Sequence, residues 1–240
     1  MTRIVNAPSL ANCDLLTLAS DVEQLVDGGV DLVHVDVMDG HYVPNLCFPV
    51  SAVADLTRRH PEVRVDAHLM VDDPGAYVER LAAAGAHYVS FHADSTRFVR
   101  RTLAAYQAAG MKAGVAINPS HPVDIIEPYM KDLDYVVLMT VEPGFAGQRF
   151  LAGSLERLEQ LDDLRTRSGA DFEIEIDGGI DHEYGAECVR RGATILVTGI
   201  YAVFQQPDGI APAVRRFDAA MAAAAAVRAD ADEARRVARR

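Results

Sequence analysis

Two polar side chains interrupt an apolar, strand-like run near the N-terminus. In LVHVDVM, residues 32–38, His34 and Asp36 alternate with valines and therefore point to the same face of a β-strand. A strand that is buried on both faces normally has a nearly continuous aliphatic sequence. An ionised carboxylate among apolar residues needs a charged partner or a metal ion. The pair therefore predicts a functional site on this strand.

Other polar residues end three further apolar runs. The segments RIVNAPSL, VRVDAHLM and FEIEID each have a polar residue at or near the end: Ser9, His68 and Asp177. Because the carboxyl ends of the strands in a parallel barrel meet at one rim, these residues are expected to lie close together. The set His34, Asp36, His68 and Asp177 is typical of a site for one divalent ion such as Zn, Fe, Mn or Co. Taken alone, His68 is explained as a core histidine and Asp177 as a helix N-cap, but the four together favour a metal site. The remaining histidines are expected to fall in loops or off this rim and to be solvated or structural: His41, His60, His87, His92, His121 and His182.

Methionines and glycines form two further groups near the same predicted rim. Met38, Met70 and Met139 fall at one level and predict a polarisable lining that excludes water. Glycine-rich segments follow the last three strands: PGFAGQ, DGG and TG. Because glycine lets backbone N–H groups approach an anion closely, these loops predict a phosphorylated substrate.

The elements that position these residues follow a regular alternation. Eight apolar runs, RIVNAPSL, DLVHVDVM, VRVDAHLM, HYVSFHA, KAGVAIN, DYVVLMTV, FEIEID and TILVTG, are separated by amphipathic segments that begin at Asp, Ser or Pro and end at Gly. Within 240 residues this pattern predicts an α/β fold, a (β/α)8 TIM barrel, for which about 250 residues are typical. A doubly wound open sheet is the alternative, although no GxGxxG follows the first strand.

The chain shows no long linker rich in Pro, Ser or Gly. We therefore predict one barrel domain over residues 1–226, followed by an Ala/Arg-rich tail over residues 227–240 that is helical, frays at its end and carries no chemistry. The net charge of -12 argues against a nucleic-acid partner. An anionic ligand remains possible, because backbone N–H groups can hold a phosphate.

Cellular location is predicted from the cysteines and the apolar runs. The three cysteines Cys13, Cys47 and Cys188 are scattered and odd in number, as expected for thiols in a reducing compartment. The N-terminus has no signal-peptide h-region, and no apolar run approaches the roughly 20 residues that span a bilayer. These features predict a soluble, cytoplasmic protein without a membrane partner.

Six segments in a fixed order carry a resemblance to a known family: APSL, HVDVMDGHYVPN, DAHLMVDDP, INPSHPV, MTVEPGFAGQ and EIDGGI. Together they resemble the ribulose-phosphate 3-epimerase family over nearly the whole chain, up to about VTGIYAVF. The resemblance implies a barrel of the ribulose-phosphate-binding type that uses one divalent metal ion on a phosphorylated ketose. It also implies a homo-oligomer.

The resemblance also implies roles for individual residues. His34, Asp36, His68 and Asp177 would bind the metal, and Asp36 and Asp177 would be the catalytic acid/base pair. Ser9, His68 and the three methionines would contact the substrate. The phosphate would lie against Gly144, Phe145, Ala146, Gly147, Gly178, Gly179, Gly199 and Ile200. Inverting C3 of a 2-ketose needs an acid/base group on each face of that carbon, and a cation offsets the charge of the enediolate.

Two motifs depart from the pentulose-phosphate branch of the family. That branch commonly reads SVNPGFGGQ and a Gly–Ser pair, where this chain has TVEPGFAGQ and TGIY, so that Ile200 takes the place of the serine. The segments MTVEPGFAGQ, FEIEIDG and CDLL look more like the allulose-6-phosphate 3-epimerase branch. We expect conversion of D-ribulose 5-phosphate to D-xylulose 5-phosphate. The alternative is conversion of D-allulose 6-phosphate to D-fructose 6-phosphate.

Two hypotheses come from other functional classes. A decarboxylase or aldol-type lyase on a related barrel would carry an Asp-x-Lys-x-x-Asp motif, and DVMDG lacks the lysine. A non-catalytic sugar-phosphate-binding barrel would be expected to lose at least one metal or acid/base residue, and all are present. Both observations favour the epimerase.

Overall fold

The computed structural model describes the backbone of residues 3–238 and the side chains of residues 3–229. The eight predicted strands are present and parallel: β1 Val5–Pro8, β2 Leu32–Met38, β3 Arg64–Met70, β4 Tyr88–His92, β5 Lys112–Ile117, β6 Tyr135–Met139, β7 Glu173–Asp177 and β8 Ile195–Thr198.

The strands form a barrel that closes between its first two strands. Their order is β1-β8-β7-β6-β5-β4-β3-β2. The two outermost strands of this order meet through a parallel bridge between Ser9 and His34. The predicted (β/α)8 barrel is therefore confirmed, and the doubly wound sheet is wrong. Closure brings the carboxyl ends of all the strands to one mouth.

Helices follow the strands: α1 Leu18–Gly28, α2 Val50–Arg59, α3 Val78–Ala84, α4 Val99–Ala108, α5 Ser154–Ser168, α6 His182–Arg190 and α7 Ile210–Ala238. The connection after β5 is different, because residues Val123–Asp132 form a 3₁₀ helix. Pro128 lies inside it and lacks the N–H that a regular α-helix would need there. Gly29 and Gly85 end α1 and α3 in the left-handed conformation, as glycine readily does.

Alternation along the strands divides the core into two parts. Outward side chains such as Val33, Val35 and Val37 pack in the large core under the helices. A smaller apolar cluster fills the barrel interior and consists of Ala7, Leu32, Tyr88, Ala116, Tyr135, Val137, Met139, Val141 and Ile195. A Cβ on Gly114 would lie 2.6 Å from the Tyr135 ring, so glycine is required where this ring crosses the barrel.

The predicted boundary at residue 226 falls inside α7. This helix runs without a break from Ile210 to Ala238, and the last two residues of the predicted tail lie outside the described part of the chain. The division into a domain and a tail therefore stays a prediction. Within residues 3–238, none of the helices combines the length and apolar character needed to cross a membrane. All three cysteines are free thiols.

Candidate active site

The four predicted metal ligands meet in the barrel mouth. β2 pairs with β3 so that Asp36 lies beside His68, and β7 brings Asp177 from the other side. The Nε2 atom of His34 is 3.5 Å from Asp36 Oδ1 and 3.8 Å from Asp177 Oδ2. The Nδ1 atom of His68 is 3.7 Å and 3.4 Å from the same two oxygens. Ligand atoms of all four residues lie within 4.8 Å of one another.

The donor atoms of this cluster fit a divalent metal ion. His34 and His68 are fully buried. Among the residues that the structure describes, His34 Nε2 and His68 Nδ1 are buried atoms without a hydrogen-bond partner. Buried polar atoms are normally paired, so two unpaired imidazole nitrogens that face two carboxylates indicate a ligand between them.

The charges of the cluster agree with this interpretation. Burial alone would lower the pKa of His34, but Asp36 and Asp66 raise it well above the usual value. Burial opposes the charged form of His68 as well, yet Asp177 and Asp36 raise its pKa to about 9. Conversely, burial favours a neutral Asp36, but the two histidines hold its pKa well below its usual range. Positive charge between the carboxylates is therefore favoured, and a divalent cation held by these four residues would supply it.

Three polar side chains that sequence reasoning missed lie below this cluster. Asp66 Oδ2 is 2.7 Å from His34 Nδ1, and Glu175 Oε1 is 3.2 Å from the same nitrogen. The Tyr135 hydroxyl donates to Asp66 Oδ1 at 2.7 Å. A sequence signal was available, because Asp66 precedes His68 by two residues and Glu175 precedes Asp177 by two. Each therefore shares its neighbour's inward face.

His92 was expected to be solvated or structural and off the rim, and that placement was wrong. It ends β4, is fully buried, and its Nε2 atom lies 3.0 Å from His68 Nε2. Its ring stacks on His68, with the ring centroids 4.9 Å apart. Burial together with the neighbouring His68 lowers the pKa of His92 well below the usual value, which keeps it neutral.

A cleft of about 600 Å³ opens above the cluster. Four of the predicted substrate-contact residues line it, Ser9, Met38, Met70 and Met139, whereas His68 is fully buried in the cluster below and is not part of the lining. The Ser9 hydroxyl donates to Asp36 Oδ2 at 2.7 Å, so it also orients that carboxylate. All three methionines are buried, and Met38 packs with Met70 and Val43.

The predicted phosphate residues line the same cleft on its other side: Gly144, Phe145, Ala146, Gly147, Gly178, Gly179, Gly199 and Ile200. Among the described residues that line the cleft, none is a lysine or an arginine. An anion there would depend on backbone N–H groups, which glycines expose. A Cβ on Gly179 would lie 2.3 Å from the backbone nitrogen of Phe150, which shows how closely the two loops approach.

Hydrogen bonds fix the loops that form this half of the cleft. Tyr201 donates its hydroxyl to the carbonyl oxygen of Gly147 at 2.9 Å and so joins the end of β8 to the loop after β6. The Thr140 hydroxyl lies within hydrogen-bond distance of the carbonyl oxygens of Asp177 and Gly178, at 2.9 and 2.6 Å. The glycine-rich loops after β6, β7 and β8 are thereby held together.

A closed parallel barrel with a cluster of potential metal ligands and glycine-rich loops at its C-terminal mouth defines the class of (β/α)8-barrel enzymes. Comparison with solved structures agrees on the fold. KGPDC from Streptococcus mutans matches with a TM-score of 0.72 and 14% identity, covering 92% of this chain and 98% of that one. The 3-hexulose-6-phosphate synthase from Salmonella typhimurium matches with a TM-score of 0.67 and 16% identity, covering 92% and 100% of the two chains.

Sequence comparison identifies the family. The model of the ribulose-phosphate 3 epimerase family matches residues 5–204. Ribulose-phosphate 3-epimerase from Bacillus subtilis is 38% identical over 203 residues, which cover 84% of this chain and 93% of the relative. The Escherichia coli K12 enzyme is 37% identical over 208 residues, covering 87% and 92%. The chain belongs to the ribulose-phosphate 3-epimerase family, and its activity class is that of a carbohydrate epimerase, an isomerase.

Proposed function

We propose that the protein is a metal-dependent 3-epimerase that converts D-ribulose 5-phosphate to D-xylulose 5-phosphate. One observation carries the proposal. Asp36 and Asp177 converge on one pair of buried histidines, beneath a cleft that is lined by glycine-rich loops. A ribulose phosphate is the substrate in the name of its relatives from Bacillus subtilis and Escherichia coli, ribulose-phosphate 3-epimerase, which supports this choice. His34, Asp36, His68 and Asp177 would hold the metal, and the identity of the ion stays open among Zn, Fe, Mn and Co.

The acid/base roles follow from the positions of the two carboxylates. Asp36 lies on β2 and Asp177 on β7, two strands that are not neighbours, so the side chains reach the substrate from different directions. The low pKa of Asp36 keeps its carboxylate ionised, which is the form that can accept a proton. One carboxylate removes the C3 proton, and the other returns a proton to the opposite face. A divalent cation held by His34, Asp36, His68 and Asp177 would supply Lewis acidity that offsets the negative charge of the enediolate oxygens.

The other cleft residues would bind and enclose the sugar phosphate. The Ser9 hydroxyl holds Asp36 in one orientation, and Met38, Met70 and Met139 keep water from the reacting carbon without offering it a hydrogen bond. The loops after β6, β7 and β8 would accept the phosphate through backbone N–H groups. Ile200 at the start of the short helix after β8 would retain this backbone contact without the serine hydroxyl.

Solvent deuterium exchange at C3, followed by NMR, tests the proposal. Metal-loaded protein is mixed with ribulose 5-phosphate or with allulose 6-phosphate, beside the variants Asp177→Asn and Asp181→Asn. Asp181 caps α6, and asparagine caps equally well, which makes this variant a matched control. We expect exchange and epimer formation with ribulose 5-phosphate, and a loss of about 10²–10⁴-fold in Asp177→Asn alone. Turnover of allulose 6-phosphate only would overturn the proposed substrate, and silence with both sugars would overturn the proposed activity.

A homo-oligomer and a cytoplasmic location remain predictions. Leu15, Leu16 and Leu46 are large apolar side chains that are 69%, 94% and 73% exposed, which is consistent with burial against another subunit. Light scattering during size-exclusion chromatography would measure the mass directly.

A further inference from the structure

Two chemically different groups support the two histidines of the cluster from behind. Asp66 contacts His34, and His92 contacts His68, and both lie on the side away from Asp36 and Asp177. We propose that Asp66 and His92 are positioning residues, each of which fixes through one hydrogen bond the ring nitrogen that its histidine presents to the metal. This inference rests on the proposed function, since it takes both histidines as metal ligands.

His34 is oriented by an acceptor. Its Nδ1 atom lies 2.7 Å from Asp66 Oδ2, closer than the 3.2 Å to Glu175 Oε1, and the other oxygen of Asp66 accepts the hydroxyl hydrogen of Tyr135 at 2.7 Å. With both oxygens accepting, Asp66 requires the imidazole hydrogen to be on Nδ1. The lone pair is then on Nε2, the atom that faces Asp36 and Asp177.

His68 is oriented in the opposite sense. Its Nδ1 atom faces the two carboxylates, so the hydrogen must be on Nε2, which lies 3.0 Å from His92 Nε2. Of two nitrogens at this distance one donates and the other accepts, which makes His92 the acceptor. The His92 ring is fixed by stacking on His68 and by Tyr42, whose ring centroid is 4.7 Å away. Tyr42 is itself held by Asp94, to which it donates at 2.8 Å.

The consequence is an asymmetric pair of ligands. His34 presents Nε2 and His68 presents Nδ1, and in each of these two rings that nitrogen is the one without a hydrogen-bond partner among the described residues. An anionic carboxylate behind a ligand raises its basicity more than a neutral imidazole does. Loss of Asp66 should therefore weaken metal binding more than loss of His92.

The test measures metal binding directly. The dissociation constant for Zn²⁺ is obtained by competition with a chromophoric chelator, and the visible spectrum of the Co²⁺-loaded protein reports the ligand geometry. The variants are Asp66→Asn, His92→Phe and His92→Gln. Thr102→Ala is the matched control, since it removes a buried hydroxyl on α4 that donates to the carbonyl oxygen of Phe98, away from the cluster.

We expect Asp66→Asn to raise the Zn²⁺ dissociation constant by about 100-fold, and His92→Phe by about 10-fold, with an altered Co²⁺ spectrum in both. His92→Gln restores an acceptor and should return both readouts toward those of the unaltered protein. Thr102→Ala should change neither. Dissociation constants within about twofold of the original in Asp66→Asn and His92→Phe would overturn the inference.

Two further outcomes keep the inference falsifiable. If circular dichroism shows that Asp66→Asn does not fold, Tyr135→Phe removes only the hydrogen bond that fixes Asp66. An unchanged dissociation constant in that variant would overturn the role of Asp66. Failure of the unaltered protein to bind Zn²⁺ or Co²⁺ would overturn the metal dependence itself. If instead the unaltered protein and all the variants bind the metal equally well, only the positioning roles of Asp66 and His92 are overturned. The two results are therefore distinguishable.

Discussion

The side-chain amide of Asn45 donates a hydrogen bond to the carbonyl oxygen of Gly144 across 2.8 Å. The bond joins the loop after β2, the strand of His34 and Asp36, to the loop after β6, which lines the predicted phosphate side of the cleft. The Val43 side chain packs closely against the same loop, because a Cβ on Gly144 would lie 3.0 Å from Val43 Cβ. The two halves of the candidate active site are thus connected directly.

Asn45→Ala should weaken substrate binding more than it slows chemistry. Loss of one hydrogen bond is worth about 0.5–1.5 kcal/mol, which corresponds to a rise in KM of about 2–10-fold. Steady-state kinetics would separate KM from kcat. Gln107→Ala is the control, because it also removes amide hydrogen bonds but at the opposite end of the barrel. An unchanged KM with a reduced kcat would contradict the proposed role of Asn45.

Metal removal should lower the melting temperature. At a metal concentration about 1,000 times the dissociation constant, binding stabilises the fold by about 4 kcal/mol, or about 8–16 °C for a domain of this size. Differential scanning calorimetry with and without a chelator measures the shift. Asp177→Asn removes one proposed ligand and should show a smaller shift. Equal melting temperatures of the unaltered protein under both conditions would count against a metal site.

Asp39 should contribute stability that disappears in acid. Its carboxylate accepts backbone N–H groups of His41, Tyr42 and Asp72 at 2.8–2.9 Å. Burial opposes ionisation, but these bonds and the nearby His41 imidazole lower the pKa of Asp39. Because the folded pKa lies below the unfolded value of about 3.9, the stabilisation is present above that value and is lost as the pH falls through the folded pKa.

Asp39→Asn should therefore lower the free energy of unfolding by about 1 kcal/mol at pH 7. The difference from the unaltered protein should hold down to about pH 5 and shrink below about pH 4. Urea unfolding at pH 7, 5 and 3.5 measures it. Asp55→Asn is the control, since its carboxylate is 61% exposed. A difference that grows with acidity would have the wrong sign.

Gly179→Ala should be far more destabilising than Gly209→Ala. Both glycines have positive φ, +66° and +87°, so each substitution brings backbone strain of about 1–2 kcal/mol. Only at Gly179 would the added Cβ collide with backbone, at 2.3 Å from the nitrogen of Phe150, whereas nothing lies within 4 Å at Gly209. We expect a loss of about 3 kcal/mol or more in Gly179→Ala, measured by urea unfolding. Similar losses in both variants would show that the close loop contact is unimportant.

The period of two along β-strands made much of the site predictable. It placed His34 with Asp36 on one inward face, and His68 and Asp177 at the ends of their strands, where the structure brings all four together. The same period applies to Asp66 and Glu175. The prediction did not include these two residues because it used only the strand ends, whereas Asp66 and Glu175 lie one inward position deeper in the barrel.

By itself, the sequence determined the eight strands, the barrel class, the family motifs and the metal-type residue set, because these depend on local periodicity and on residue type. Only the tertiary structure decided that His92 reaches His68, that Asp66 holds His34, and that Asn45 bonds Gly144. These partners are 24, 32 and 99 residues apart in the chain. These contacts follow from the closure of the barrel and from the paths of the loops. Neither produces a periodic pattern in the sequence from which the contacts could be predicted.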